Sequence, residues 1–154
     1  MNRFLGALCA SLLMLAAIAA RCADSAAKWK PVPADDVEKI EAAAAKLATQ
    51  AKPAKPRTML VLTRATGFYH SAIPYGAKTL EIVAEKTGAF QAVVSDDPAM
   101  LKADNLKKFD AVCFDNCTGP SSDFFPTEAD KKAFLDYVKS GKGVVGIHAA
   151  TDFC

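Results

Sequence analysis

From Thr58 onward, short apolar runs alternate with stretches that have helical periodicity. The apolar runs cover residues 59–63, 90–94, 110–114 and 143–148. Such alternation is typical of βαβ units, which build a parallel sheet flanked by helices. We therefore predict an α/β fold for residues 58–154.

The segments between these runs carry helix start and stop signals. Ser71 is placed to cap the first helix, and Gly88 is placed to end it. Asp97 is placed to cap a short helix over residues 98–107, and Thr127 to cap the last one. The last helix is expected to face the sheet with Ala133, Phe134, Tyr137 and Val138.

The predicted sheet is expected to be incomplete at its carboxyl-terminal side. Doubly wound parallel sheets commonly have five or more strands with helices on both faces. Here the fourth predicted strand ends close to Cys154. We expect an amino-terminal fragment of a longer protein, with appended domains or homo-oligomerisation left open.

The first residues have the pattern of a secretory signal peptide. Arg3 supplies a positive charge, residues 4–20 are almost wholly apolar, and small residues follow. This order predicts a signal peptide over residues 1–23 and an exported protein, periplasmic or secreted. The apolar stretch is short for a bilayer span, so we expect membrane contact only through the signal peptide.

Residues 24–57 are predicted to precede the domain as a helix and a linker. A segment rich in Ala, Glu and Lys, residues 35–51, reads as one helix. Ile40, Ala44 and Leu47 share one of its faces. A stiff segment rich in Pro, Lys and Ala follows at residues 52–56.

Composition narrows the class of partner. The chain is 51% hydrophobic and 23% charged, with a formal net charge of +2. Basic residues are interleaved with acidic ones, so no cationic face suited to a phosphate backbone is formed. We expect a small-molecule ligand and no nucleic acid.

The cysteines do not indicate a disulfide framework or a zinc site. Cys113, Cys117 and Cys154 lie in the predicted domain, and this odd number argues against paired bridges. Cys113 falls inside an apolar run and reads as a small buried side chain. Strand alternation does not aim Cys113 and Cys117 at one point, and no second Cys pair follows.

Polar and aromatic residues follow three of the four predicted strands. The carboxyl ends of parallel strands lie on one edge of the sheet, where such folds bind ligands. Both histidines of the chain are among the residues at this edge. The set comprises Gly67, Phe68, Tyr69, His70, Asp115, Asn116, Gly119, His148, Thr151 and Asp152.

A proton-transfer site is the chemistry that these residue types favour. A neutral imidazole exchanges protons near pH 7, and a neighbouring carboxylate fixes its tautomer. We predict His70 and His148 as the catalytic pair, with Asp152 orienting an imidazole. The same groups could instead ligate a divalent metal, or the histidines could be structural, one as a helix cap and one under the sheet edge.

The remaining edge residues are predicted to bind substrate. Glycine allows a backbone N–H to approach a ligand oxygen, and aromatic rings form an apolar wall for a sugar. The predicted binding residues are Gly67, Phe68, Tyr69, Asp115, Asn116, Gly119 and Thr151. No cofactor is required by the sequence, although a divalent metal remains an open alternative.

The motifs at these positions resemble those of the trehalose-utilisation (ThuA-like) family. The resemblance runs from about Met59 to Asp152, essentially the whole predicted domain. It rests on Gly67-Phe68-x-His70, the Asp115-Asn116 to Gly119 loop, and Phe134-x-x-Tyr137-Val138 followed by Gly141-Lys142-Gly143. Its most specific motif is Gly146-Ile147-His148-Ala149-Ala150-Thr151-Asp152. The resemblance implies a flavodoxin-like sheet similar to that of class I glutamine amidotransferases, and a role in carbohydrate utilisation on trehalose-like or keto-glycosides.

His148 is a departure from the amidotransferases of this fold. Those enzymes carry a nucleophilic cysteine at the matching position, directly after the Gly-Ile or Gly-Val pair. An imidazole cannot form the thioester, so release of ammonia from glutamine is disfavoured. We expect an exported sugar-acting enzyme. The alternatives are a non-catalytic carbohydrate-binding or scaffolding module and a metal-dependent hydrolase.

Overall fold

A computed structural model describes residues 30–47 and 53–153. Within these residues, four strands form one parallel sheet in the order β2-β1-β3-β4. The strands are β1 (Thr58–Leu62), β2 (Gln91–Ser95), β3 (Ala111–Asp115) and β4 (Gly143–Ile147). The predicted α/β fold is confirmed, and the strand bounds differ from prediction by single residues.

One described helix precedes β1, and three further helices lie between consecutive strands. They are α1 (Ala34–Ala44), α2 (Ile73–Thr87), α3 (Ala103–Leu106) and α4 (Glu128–Lys139). The helix predicted over residues 98–107 is divided, because Lys102 is extended with a ψ of 149°. A 3-10 turn, Pro98–Leu101, therefore precedes α3. Asp97 does cap this turn, since its carboxylate accepts the Ala99 N–H at 2.8 Å.

Two of the other predicted helix signals are confirmed and one is wrong. Thr127 and Asp130 form a capping box at the start of α4. Gly88 ends α2 in the left-handed region, with a φ of 62°. Ser71, however, does not cap α2: the N-cap residue is Ala72, and no side chain in the described part of the chain caps the helix.

Alternation along the central strands divides the core between the two faces of the sheet. Leu60 and Leu62 of β1 lie in one cluster, with residues of α3, α4 and the surrounding loops. Met59 and Val61 lie in the other cluster, where Leu80 of α2 packs against them. Both faces of β1 are therefore covered, as its continuous apolar sequence requires.

The β4 edge is less covered than the centre of the sheet. Val144 and Val145 are 47% and 43% exposed, although they point to opposite faces. In α4, Tyr137 is buried and Phe134 packs against the core, as predicted. Val138 is 40% exposed, so its predicted sheet-facing position is wrong.

The amino-terminal helix α1 packs against α2. Ala44 is buried, and the Tyr75 hydroxyl donates to Asp36 at 3.1 Å. Of the predicted apolar face, Leu47 is 52% exposed, because α1 ends at Ala44, before this residue.

Several predictions concern residues that the structure does not describe. The signal peptide at residues 1–23, the end of the predicted helix at residues 48–51 and the first linker residue, Lys52, lie outside the described residues, as do residues 24–29 and Cys154. In the described part of the chain, no helix has the length and apolar character needed to cross a membrane.

Candidate functional site

The loops that follow β1, β3 and β4 are held together by backbone hydrogen bonds. The N–H groups of Thr66 and Gly67 donate to the Thr118 carbonyl at 2.9 and 3.2 Å. The Gly119 N–H donates to the Asp152 carbonyl at 3.2 Å. The predicted meeting of these three loops at the carboxyl edge of the sheet is confirmed.

Gly67 and Gly119 allow this close approach between loops. A Cβ atom on Gly119 would lie 2.0 Å from Oγ1 of Thr66, and one on Gly67 would lie 3.1 Å from the Gly119 nitrogen. Both glycine N–H groups donate to neighbouring carbonyls. The prediction that these amides hold substrate hydroxyls is therefore not supported, because their donors are already used.

His148 occupies a sharp turn directly after β4. Its φ is 52°, in the left-handed region that costs a non-glycine residue roughly 1–2 kcal/mol. The side chain is exposed at the edge of the sheet. Asn116, directly after β3, has the same φ of 52°. Non-glycine residues in this region cluster at functional sites, where the surrounding structure holds them in place.

The two histidines meet at this edge. The ring centroids of His70 and His148 lie 4.7 Å apart, with the ring planes at 85°. Phe68 packs edge-on against His70 at 4.8 Å, and 71% of its surface is exposed. The predicted juxtaposition of the two imidazoles is confirmed, and an exposed aromatic ring lies next to them.

Behind the histidines, a chain of hydrogen bonds leads into the protein. Nδ1 of His148 lies 2.9 Å from Oδ1 of Asn116. Nδ2 of Asn116 donates to Oδ1 of Asp115 at 2.8 Å. Asn116 is only 3% exposed and Asp115 is fully buried. Both residues therefore support His148 from within, whereas we predicted that they would contact the substrate directly.

Asp115 is an unusual buried acid. No described side chain forms an ion pair with it, and its Oδ2 atom is buried with no hydrogen-bond partner. Burial raises the pKa of Asp115 to about 6, although the Asn116 amide and the Ala77 N–H act in the opposite direction. Its carboxyl group lies against Gly76 of α2, where a Cβ would come within 2.5 Å of a carboxylate oxygen.

Tyr69 lies at the same edge and is 42% exposed. Burial and the negative charge of Asp115 raise the pKa of its phenol. The phenol therefore lies within electrostatic reach of the buried carboxylate, and its exposed part faces solvent beside Phe68.

Asp152 does not orient an imidazole, contrary to the prediction. Its backbone pairs with the preceding loop, where Thr118 and Asp152 form a parallel bridge. Within residues 30–47 and 53–153, its carboxylate takes part in no ion pair, and Nδ1 of His148 is bound to Asn116 instead. Thr151 and Asp152 are both exposed at the edge of the site.

Sequence reasoning missed Gly76 and the role of Asn116. A glycine inside a helix costs about 1 kcal/mol relative to alanine, so Gly76 carries a signal that something approaches the backbone closely. Asn116 carries a weaker signal, because asparagine tolerates the left-handed conformation better than most residues. Neither signal identifies the group that the residue contacts, which is Asp115 for Gly76 and His148 for Asn116.

The cysteines near the site have no thiolate character. Cys113 and Cys117 are completely buried, and burial raises the pKa of each thiol to about 12. The Cys117 thiol donates to the Leu62 carbonyl at 3.2 Å. Both behave as small core side chains, as predicted for Cys113.

Across the described residues, no group of three or more His, Cys, Asp or Glu side chains is arranged to hold a metal ion. The alternative of a metal bound by His70 and His148 therefore gains no third His, Cys, Asp or Glu ligand from the described residues.

The part of the chain that contains the sheet and the candidate site matches the model of one protein family. The family model of ThuA, described as trehalose utilisation, matches residues 58–154. No match was found among curated proteins or among solved structures. The family match covers all four strands, both histidines and the buried Asp115, and the ThuA domain is of the glutamine-amidotransferase-like type. The chain belongs to the ThuA family.

Proposed function

We propose that this protein is an exported sugar-acting enzyme of trehalose utilisation that transfers protons through His70 and His148. Its substrates would be trehalose-like or keto-glycosides. The observation that carries the proposal is the edge-to-face contact of the two imidazoles, 4.7 Å between centroids, at the carboxyl edge of a parallel sheet. Membership of the ThuA family supports the carbohydrate role.

Two adjacent imidazoles suit a reaction that removes one proton and supplies another. A neutral imidazole can act as a general base, and an imidazolium can act as a general acid. His148 is exposed on its turn, and His70 is half-buried beside it. One histidine can therefore face a substrate hydroxyl or C–H group while the other protonates a leaving oxygen.

The exposed side chains around the histidines suit a sugar. Phe68, at 71% exposure, offers a free apolar ring to the hydrophobic face of a pyranose. Tyr69, Thr151 and Asp152 are exposed polar groups at the same edge and can hydrogen-bond hydroxyl groups. The binding role therefore rests on the exposed members of the predicted set.

A glutaminase reaction has less support. The turn that carries the cysteine nucleophile in amidotransferases carries His148 here. Cys113 and Cys117 are buried and keep their protons at neutral pH. No thiolate within the described residues is available to attack an amide.

The central test is turnover by histidine variants. The full chain is incubated with trehalose and with its keto derivative, and products are followed by NMR. His148→Asn and His70→Asn should each lower turnover by roughly 100-fold or more, the range for a lost general acid or base. Asparagine tolerates the positive φ at position 148, so the fold is preserved. Glu85→Gln, on the far end of α2, is the matched control and should retain full turnover.

The aromatic loop also favours a second candidate function, a non-catalytic carbohydrate-binding module. In that case Phe68→Ala would weaken sugar binding by roughly 10-fold, the scale of one aromatic contact. His148→Asn would leave both binding and any measured turnover unchanged. Isothermal titration of both variants with the same sugars separates the two functions.

Export is tested separately from catalysis. The full chain, expressed with a carboxyl-terminal epitope tag in a bacterial host, should appear outside the cytoplasm in a form shortened by about 23 residues, the length of the proposed signal peptide. Full-length protein retained in the cytoplasm would contradict export without affecting the proposed chemistry.

A further inference from the structure

We propose that Asn116 is a positioning residue that holds His148 as its Nδ1–H tautomer, so that Nε2 is the nitrogen that exchanges a proton with the substrate. The catalytic part of this inference rests on the proposed function. The tautomer itself follows from the hydrogen-bond chain His148–Asn116–Asp115 and can be measured without any substrate.

The orientation of the Asn116 amide is fixed by Asp115. An ionised carboxylate only accepts hydrogen bonds, so the group of Asn116 that faces it at 2.8 Å must be the NH₂ donor. The carbonyl Oδ1 of Asn116 then faces His148 at 2.9 Å. A carbonyl oxygen can only accept, and Nδ1 of His148 must therefore carry the proton.

The supporting groups are rigid. Asn116 and Asp115 are 3% and 0% exposed. The backbone of Asn116 is tied to β4 by the bond from its N–H to the Ile147 carbonyl at 3.1 Å. Gly76 closes the chain by lying directly against the Asp115 carboxyl group. Water cannot easily replace either partner, so the tautomer is decided by the protein.

The consequence for chemistry is directional. In the Nδ1–H tautomer, the lone pair is on Nε2, at the end of the ring away from Asn116. When a proton moves from the substrate to Nε2, the resulting imidazolium keeps its Nδ1–H bond to the Asn116 carbonyl. The supporting contacts are therefore the same before and after transfer, so little reorganisation accompanies the step.

The test is the ¹⁵N spectrum of the full chain labelled at histidine. The chain has two histidines, so comparison with His70→Gln assigns both rings. For the wild type above the imidazole titration range, we expect a pyrrole-type Nδ1 and a pyridine-type Nε2 at His148. A pyridine-type Nδ1 in the wild type would overturn the inference.

Three variants test which residues set the tautomer. Asn116→Gly keeps the left-handed backbone accessible and removes the side chain, so His148 should shift to mainly Nε2–H, which free imidazole side chains prefer. Asp115→Asn allows either amide orientation and should give a mixture. The exchanged pair Asp115→Asn with Asn116→Asp should restore Nδ1–H, because the new carboxylate accepts from His148 while the new amide donates to it.

A control separates this role from a general structural one. Asn105→Ala removes an amide that donates to the Ala99 carbonyl in another part of the fold, and it should leave the His148 signals unchanged. Retention of Nδ1–H in Asn116→Gly, with a native amide fingerprint, would contradict the inference. A tautomer shift in that variant together with full turnover by His148→Asn would instead leave the positioning intact and reject the proposed function.

Discussion

Two aspartates at opposite ends of β3 show how differently the two edges of the sheet are built. Asp110 precedes the strand. Its carboxylate binds the Arg57 guanidinium at 2.9 Å and the Thr58 N–H at 3.1 Å, and Lys142 lies 3.7 Å away. These contacts lower its pKa. Asp115 ends the strand, fully buried, with one oxygen unpartnered and a pKa raised to about 6.

The difference indicates that the amino edge of the sheet stabilises the fold, whereas the carboxyl edge does not. At the amino edge, charge is neutralised and backbone donors are satisfied. At the carboxyl edge, no cation among the described residues pairs with the buried Asp115, and Asn116 and His148 take positive φ values of 52°. Features that each cost stability are concentrated where the two imidazoles meet, and such local conflicts are expected at functional sites.

The largest expected effect concerns Asp115 and pH. Its folded pKa lies above that of an unfolded aspartate, so the folded state holds the proton more tightly, and stability falls as pH rises from about 4 to about 6. Asp115→Asn removes this loss. The unfolding free energy of Asp115→Asn relative to that of the wild type should rise by roughly 2 to 3 kcal/mol between pH 4 and pH 7.

Urea denaturation of both proteins at the two pH values measures this difference. The other acids are common to both proteins and cancel in the comparison. A difference that does not change with pH would mean that Asp115 is not strained when ionised, and the contrast between the two ends of β3 would fail.

The next effect compares one glycine from each edge. In Gly76→Ala the new Cβ would lie 2.5 Å from a carboxylate oxygen of Asp115, held in place by burial. We expect a loss of about 2 kcal/mol from overpacking, despite the better helix propensity of alanine. In Gly143→Ala the nearest atom is the Ala111 Cβ at 3.1 Å, and we expect a loss below about 1 kcal/mol.

Thermal or urea unfolding of the two variants provides the measurement. Combining Gly76→Ala with Asp115→Ala gives a further check, because shortening the aspartate side chain removes the clash. The double variant should then be no less stable than Asp115→Ala alone. Equal losses for Gly76→Ala and Gly143→Ala would show that the carboxyl edge is not the more tightly constrained one.

The arrangement of the carboxyl edge could be predicted from sequence only to the level of which residues meet. Strand positions follow from short apolar runs, and parallel strands bring their carboxyl ends together, so the meeting of His70 with His148 followed from local patterns. The hydrogen-bond partner of His148 did not follow. It depends on the backbone angles of Asn116 and His148, which turn two side chains toward each other and leave Asp152 facing solvent.

The burial of Asp115 was equally inaccessible from sequence. An acid at the end of a strand is usually solvated, and its position under α2 depends on the absence of a side chain at Gly76. That relation links residues on separate elements and has no periodic signature. The contacts at the amino edge were not predicted from the sequence either. There, Arg57 and Lys142 form ion pairs with the Asp110 carboxylate.

The smallest expected effect is that of Asp110→Asn on the free energy of unfolding. Its dependence on pH is opposite to that of Asp115→Asn. The pKa of Asp110 is lowered, first by the Thr58 N–H and then by Arg57, so its contribution is present above the pKa of an unfolded aspartate and is lost as pH falls through the folded value. Asp110→Asn should cost roughly 1 kcal/mol at pH 7, since the pair is partly exposed and screened by water. The loss of unfolding free energy in Asp110→Asn should shrink toward pH 3. The stability of Asp115→Asn relative to the wild type, in contrast, should increase only as pH rises. Urea denaturation of both variants across this range tests the two signs together. If both variants changed in the same direction with pH, the two ends of β3 would not differ electrostatically, and the buried chain behind His148 would have to be explained by packing alone.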